Sequence, residues 1–214
     1  MARIEKYTDT AVMNILRHME RSVANPSNQE IDPSRTPLNY ALHNKIRNGR
    51  LFLSDFSYYR HRLKKLYVYG RKDVKTLCGW IITLPRDLPP EYQEPFFRES
   101  NAFLNEIYGK QNCISSYVHM DEAGQSHIHY TFVPVVPDKK RGGEKISAKE
   151  LITRDHLRKF HPSLQKYLNE KGIPARLMNG ATAAAGGNRT VRELKRERAE
   201  REHTREIERG VFLQ

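Results

Sequence analysis

The chain is poor in the features that mark export, membrane insertion or a disulfide scaffold. Among its 214 residues only Cys78 and Cys113 are cysteines, each inside an apolar run. That excludes a disulfide framework and predicts two buried thiols in a reducing cytoplasm. No stretch approaches the roughly 18 apolar residues of a membrane helix, so no membrane segment is expected. The N-terminus lacks a cationic region leading into an apolar run, so no secretion signal is expected either. A mean hydropathy of -0.75 describes a highly polar surface. No internal repeat is present.

Negative charge is the other shortage. Asp and Glu number 25 against 37 Lys and Arg, which leaves a net charge of +12. The excess is concentrated. Ala41 to Thr76 holds ten cations (Lys45, Arg47, Arg50, Arg60, Arg62, Lys64, Lys65, Arg71, Lys72 and Lys75) against Asp55 and Asp73. Phe52, Phe56, Tyr58, Tyr59, Tyr67 and Tyr69 are interleaved with them. Cations bind phosphates by releasing counterions, and aromatic faces stack on unpaired bases. The pattern points to nucleic acid; the competing reading is a solvated basic surface over a few core tyrosines.

Periodicity predicts a helix over 11–23, with Val12, Ile15, Leu16, Met19 and Val23 on one side and Asn14, His18 and Arg21 opposite. Residues 25–40 contain three prolines and predict an ordered, extended loop. The basic segment 41–76 reads as largely helical, ending irregularly near Gly70. Leu77–Leu84 reads as a strand stopped by Pro85. Residues 91–109 predict a helix with Phe96, Phe97, Phe103, Leu104 and Ile107 inward and Gly109 at its end. Ile114–Met120 and His127–Val136 predict antiparallel neighbours joined by the 121–126 turn. Asp138–Glu144 reads as a charged turn. Ser147–Gly172 reads as a helix with Leu151, Leu157, Leu164, Tyr167 and Leu168 as its core side. Residues 179–189 have no large apolar side chains and predict a flexible linker. Beyond it, 190–214 reads as a charged C-terminal helix, either solvated or a DNA clamp.

The sharpest chemical signal lies in the hairpin. Residues two apart on a strand face the same way, so His127 and His129 present adjacent rings on one face. The preceding strand brings His119 beside them. Three converging imidazoles make a divalent-metal site with open positions. A metal facing nucleic acid points to phosphodiester chemistry, in which the ion polarises phosphate oxygens. The chain offers tyrosines and one well-placed histidine, His18, as the nucleophile.

His127-Ile128-His129 resembles the His-hydrophobic-His signature of the HUH endonucleases. A wider pattern is more specific: 17–21 (RHMER), 31–40 (IDPSRTPLNY), 71–73 (RKD), 77–83 (LCGWIIT) and 118–122 (VHMDE) occur in that order. Together they resemble the MobM/Pre group of plasmid mobilisation and recombination proteins, the MobV relaxases, over about residues 1–200. The resemblance implies an α+β fold, an antiparallel sheet flanked by helices, with 1–178 as the catalytic domain. It implies a bacterial enzyme that nicks and rejoins the single-stranded or hairpin origin of transfer of a mobile element, working with a conjugation coupling protein. The cofactor implied is a divalent ion, manganese or magnesium, on His119, His127 and His129. The nucleophile implied is His18, kept neutral by Arg21. Arg21 and Arg71 are expected to clamp phosphate oxygens. Glu122 is expected either to orient His18 or to hold a metal-bound water, with Asp121 the lesser candidate. Arg35, Asn39, Tyr40, Arg71 and Lys72 are expected to contact DNA. Gly79 departs from the group, where an acidic residue is common. Two alternatives remain at this level: a rolling-circle initiator or transposase of the HUH type using a tyrosine such as Tyr40, and a non-catalytic DNA-binding module.

Overall fold

The computed structural model describes residues 2–23 and 30–177, with Arg196 and Glu200 beyond them. Met1–Leu177 forms one compact unit and Met178–Gln214 a second. In the second, Arg196 and Glu200 are helical and pair at 3.4 Å. The expected linker over 179–189 and the rest of the charged helix lie outside the described residues.

The first unit is α+β, as expected. Its centre is a five-stranded antiparallel sheet in the order β1 (Ala2–Thr8), β5 (Lys75–Thr83), β7 (His127–Phe132), β6 (Cys113–His119), β2 (Tyr40–Ala41). Alternation along these strands separates two cores. One face sends Cys78, Trp80, Ile82, Val118, Ile128, Tyr130 and Phe132 against α3 (Gln93–Tyr108) and α5 (Arg154–Glu170). There Phe96, Phe97, Phe103, Leu104, Phe160, Leu164 and Leu168 meet them, and Trp80 stacks on Phe160 with centroids 3.6 Å apart. The other face receives α1 (Asp9–Met19) and α2 (Asp55–Leu63) through Val12, Leu16, Met19, Tyr58 and Tyr59. Two small hairpins complete the unit: β3 (Ile46–Arg47) with β4 (Arg50–Leu51), and β8 (Val135–Pro137) with β9 (Glu144–Ile146). Among the described residues, no helix is long and apolar enough to cross a membrane.

Several expectations need correction. The basic segment is not largely helical: α2 is its only α-helix, and Asn48-Gly49, both at positive φ, closes the β3–β4 hairpin instead. The helix expected over 147–172 is two, α4 (Ala148–Leu151) and α5, because the Thr153 hydroxyl caps a new start by accepting the His156 N–H. Phe160 fills the core there, while Leu157 is exposed. Ile107 and Val23 are exposed as well.

The first helix stops at Met19, four residues early. Ser22 N–H bonds to Arg17 O and Arg21 N–H to His18 O, a Schellman closure that needs a left-handed residue at Arg21 (φ 53). Glycine takes this position at no steric cost; arginine does so at about 1–2 kcal/mol. The side-chain bonds described next hold it there.

Candidate functional site

The expected histidines meet. On β6 and β7, His119 stands opposite His127 in register, and Tyr117 opposite His129. Ring centroids are 4.7 Å apart for His119–His129 and His127–His129, and 5.7 Å for His119–His127. Backbone carbonyls orient two of the rings. His119 Nε2–H donates to Met19 O at 3.0 Å, which turns Nδ1 inward. That Nδ1 is buried, with no hydrogen-bond partner of good geometry. His127 Nδ1–H donates to Gln125 O at 3.1 Å, leaving Nε2 to face His129 Nε2 at 2.9 Å. Two nitrogens sharing an ion at about 2.1 Å stand roughly 3 Å apart, so this arrangement suits a cation. Burial pushes the pKa of His127 down, and that of His129 well down with help from the neighbouring imidazoles. Both rings are therefore neutral donors at neutral pH.

α1 delivers His18 to the rim of this cluster, half-buried, with centroids 6.0 Å from His119 and 6.1 Å from His129. Ligand atoms of His18, His119, Glu122 and His129 all lie within 4.8 Å of one another. His127 joins from the side, its Nε2 3.8 Å from Glu122 Oε2. Glu122 is the hub: its Oε1 lies 3.6 Å from His18 Nε2 and 3.5 Å from His119 Nδ1. Burial raises the Glu122 pKa, but the close approach of His119 and the hydrogen bond from Arg21 outweigh it and keep the group ionised. The His18 pKa is lowered, first by burial and then by Arg21, against an opposing pull from Glu122. Arg21 is thus the second cause of the shift, after burial.

Arg21 is not free to clamp phosphate. Its Nε and Nη2 bind Asp121 in bidentate fashion at 2.9 and 2.7 Å, Nη2 also reaches Glu122 Oε1 at 2.7 Å, and Nη1 reaches His18 O at 3.0 Å and His18 Nε2 at 3.4 Å. All five of its N–H donors are used. Asp121, the lesser candidate in sequence, is fully buried and anchors this network. Burial raises its pKa, yet hydrogen bonds from Arg21, Asn39 and Thr36 bring it down to about 2. The loop before β2 supports it from outside: Asp32 N–H bonds to Asp121 O at 2.7 Å and Thr36 Oγ1 to Asp121 Oδ2 at 2.9 Å. Thr36 carried no signal in sequence, and neither did the Met19 and Gln125 carbonyls, since any residue supplies a carbonyl.

The remaining expected residues lie apart. Asn39 Oδ1 accepts the Met120 N–H at 2.7 Å and so fixes the end of β6. Arg35 is exposed nearby. Tyr40 pairs with Val118, whose neighbour in register is Ile128, and packs into the α3 side of the sheet. It is on the face opposite the histidines, and burial raises its pKa, so Tyr40 is not placed to act as the nucleophile. Arg71 and Lys72 precede β5 at Lys75, whereas Thr83, at the far end of that strand, pairs with His127. Eight residues of strand span roughly 26 Å. The two cations line a cavity of about 900 Å³ with Arg60, Lys64 and the start of α1, and Arg71 pairs with Asp73 at 3.3 Å. Arg71 does not reach the cluster. Gly79 faces the Tyr7 ring, which an added Cβ would meet at 3.3 Å, so an acidic side chain here would displace Tyr7.

The chain is similar to known proteins. The chain is 32% identical to a plasmid recombination enzyme of Lactiplantibacillus plantarum, over 97% of this chain and 55% of that protein. It is 29% identical to one of Streptococcus agalactiae, over 97% of this chain and 41% of that protein. The chain thus spans about half the length of such relatives, or less. In structure it is similar to the MobM relaxase domain crystallised with manganese and plasmid pMV158 oriT DNA: TM-score 0.70, 28% identity, 92% of this chain and 97% of that one. The family profile described as plasmid recombination enzyme, Mob_Pre, matches residues 1–196, and the chain belongs to that family.

Proposed function

We propose that this chain is a relaxase domain that nicks one strand at the origin of transfer of a bacterial mobile element and rejoins it. The observation that carries the reading is His18 beside three imidazoles and an ionised Glu122, all within one small volume. His119, His127 and His129, with Glu122 beside them, would hold a divalent ion. Imidazole donors favour manganese over magnesium, and the similar MobM domain carries manganese. Such an ion supplies positive charge that polarises the phosphate and offsets the charge of the transition state.

His18 supplies the nucleophile. Its neutral imidazole attacks phosphorus with a nitrogen lone pair and needs no base to do so. An N–P bond forms and the P–O3′ bond breaks. The 3′ oxygen takes up a proton, balanced by the one the phosphorylated ring gives up. The product is a 5′-phosphohistidine and a free 3′-OH. Reversal of the same steps rejoins the strand without ATP. Arg21 and Glu122 are positioning residues: both hold the His18 ring, and burial and Arg21 keep it unprotonated. Arg35 and the exposed cations of 41–76, Arg71 and Lys72 included, bind phosphates away from the reacting centre. The enzyme works in the bacterial cytoplasm, and a conjugation coupling protein would take the covalent complex onward.

The test is mass spectrometry of the adduct formed on a suicide origin oligonucleotide with manganese. The expected result is one acid-labile, base-stable phosphoramidate on His18. Attachment at a tyrosine, or nicking with no adduct, would remove this reading in favour of a tyrosine-type HUH enzyme or a hydrolytic one.

A further inference from the structure

The β3–β4 hairpin is amphipathic in the wrong sense. Its alternation sends Arg47 and Phe52 toward the body and the aliphatic residues into water. Ile46 is 55% exposed, Leu51 62% and Leu53 87%. Ile46 and Leu51 are directly paired, and Leu53 is exposed two residues on, past the buried Phe52, so three aliphatic side chains cluster at this hairpin. The support beneath is firm. Phe52 is buried in the α2-side core, Arg47 lies over the Tyr58 ring at 4.6 Å, and Arg50 lies over Phe52 at 5.2 Å. Asn48-Gly49 closes a tight turn at positive φ. At the root, His43 accepts the Ser116 N–H of β6 on Nδ1 at 3.0 Å and donates from Nε2 to Asp55 at 2.9 Å.

We propose that this hairpin is a wedge for nucleic acid: Ile46, Leu51 and Leu53 seat on the open face of a terminal base pair where a DNA stem gives way to single strand. The inference rests on the nucleic-acid reading above and specifies the form of the substrate. Charge selects the occupant. Between Asp32 and Asp55 the chain has no acidic residue, while Arg35, Lys45, Arg47 and Arg50 all lie in that interval. An apolar cluster within a cationic segment fits a polyanion with an exposed aromatic face, and rigid aliphatic side chains are what unstack base steps. Position agrees. Lys45 Nζ is 3.7 Å from Glu20 Oε1, and Glu20 lies between Met19, which orients His119, and Arg21. A strand leaving a stem held at the hairpin is therefore delivered toward His18.

The test uses a DNA hairpin with a 3′ single-stranded arm and 2-aminopurine in the last base pair of the stem, in metal-free buffer at low salt. Wild-type protein is expected to raise the fluorescence several-fold. A triple variant, Ile46→Ser, Leu51→Ser and Leu53→Ser, is expected to lose most of that rise and roughly tenfold in affinity for this probe. Its melting temperature and its affinity for an unstructured oligonucleotide should not change. Equal fluorescence from both proteins would overturn the wedge, as would equal loss of affinity for both probes. So would a wild-type dimer that the triple variant abolishes while DNA unstacking persists, since the cluster would then belong to a second copy. Failure of the His18 adduct with the fluorescence rise intact would refute nicking and leave the wedge standing.

Discussion

The two faces of β7 share one backbone and little else. One carries Ile128, Tyr130 and Phe132, all fully buried against α3 and α5, where shape and volume decide stability. The other carries His127, His129 and Thr131 beneath the end of α1, where the groups are polar and each ring's outer contact decides its inner one. Burial does different work on the two sides. Opposite α3 it removes apolar surface from water. Beneath α1 it strips protons from imidazoles and leaves the hydrogen bonds of Arg21 to keep two carboxylates charged. A fold can lose much of the first kind of burial and keep its chemistry, or lose one atom of the second and keep its stability.

That separation can be broken deliberately. His18→Ala should lower nicking of supercoiled origin plasmid by about four orders of magnitude and abolish the covalent adduct, with an unchanged melting temperature. A variant that still forms adduct would move the nucleophile elsewhere. On the other face, Phe132→Ala should cost about 3–5 kcal/mol in urea unfolding. At a temperature where the protein stays folded, manganese should bind it as tightly as it binds wild type; weakened binding would show that the faces are coupled. Asp121→Asn cuts the anchor of Arg21. Calorimetric titration should show manganese affinity lower by about tenfold or more, through slackened support of Glu122. Unaltered affinity would make Asp121 a purely structural residue. Tyr40→Phe should leave nicking within about twofold of wild type, since the half-buried side chain lies on the wrong face. A dead variant would restore the tyrosine reading.

Much of the sheet and of the cluster was legible in sequence. Runs of β-favouring residues announced β5, β6 and β7 to within a few residues, and the His-x-His spacing put two rings on one face before any fold was known. The losses have physical causes. The 41–76 segment read as largely helical, although Asn48-Gly49 is the strongest short signal for a hairpin turn. The early end of α1 was invisible because an arginine occupies the left-handed position where glycine is expected. Arg71 was placed at the site by resemblance alone, and the length of β5 separates it from the histidines.

Local pattern on its own determined the strands, the metal-type donors and the basic character, because each depends on residues close together in the chain. Only the tertiary structure decided which donors are spoken for. It tied Arg21 to two carboxylates about a hundred residues away, turned His119 with a helix-end carbonyl, and put Tyr40 on the far side of the sheet. Hydrogen bonds between distant segments leave no periodicity behind, so no reading of spacing could have recovered them.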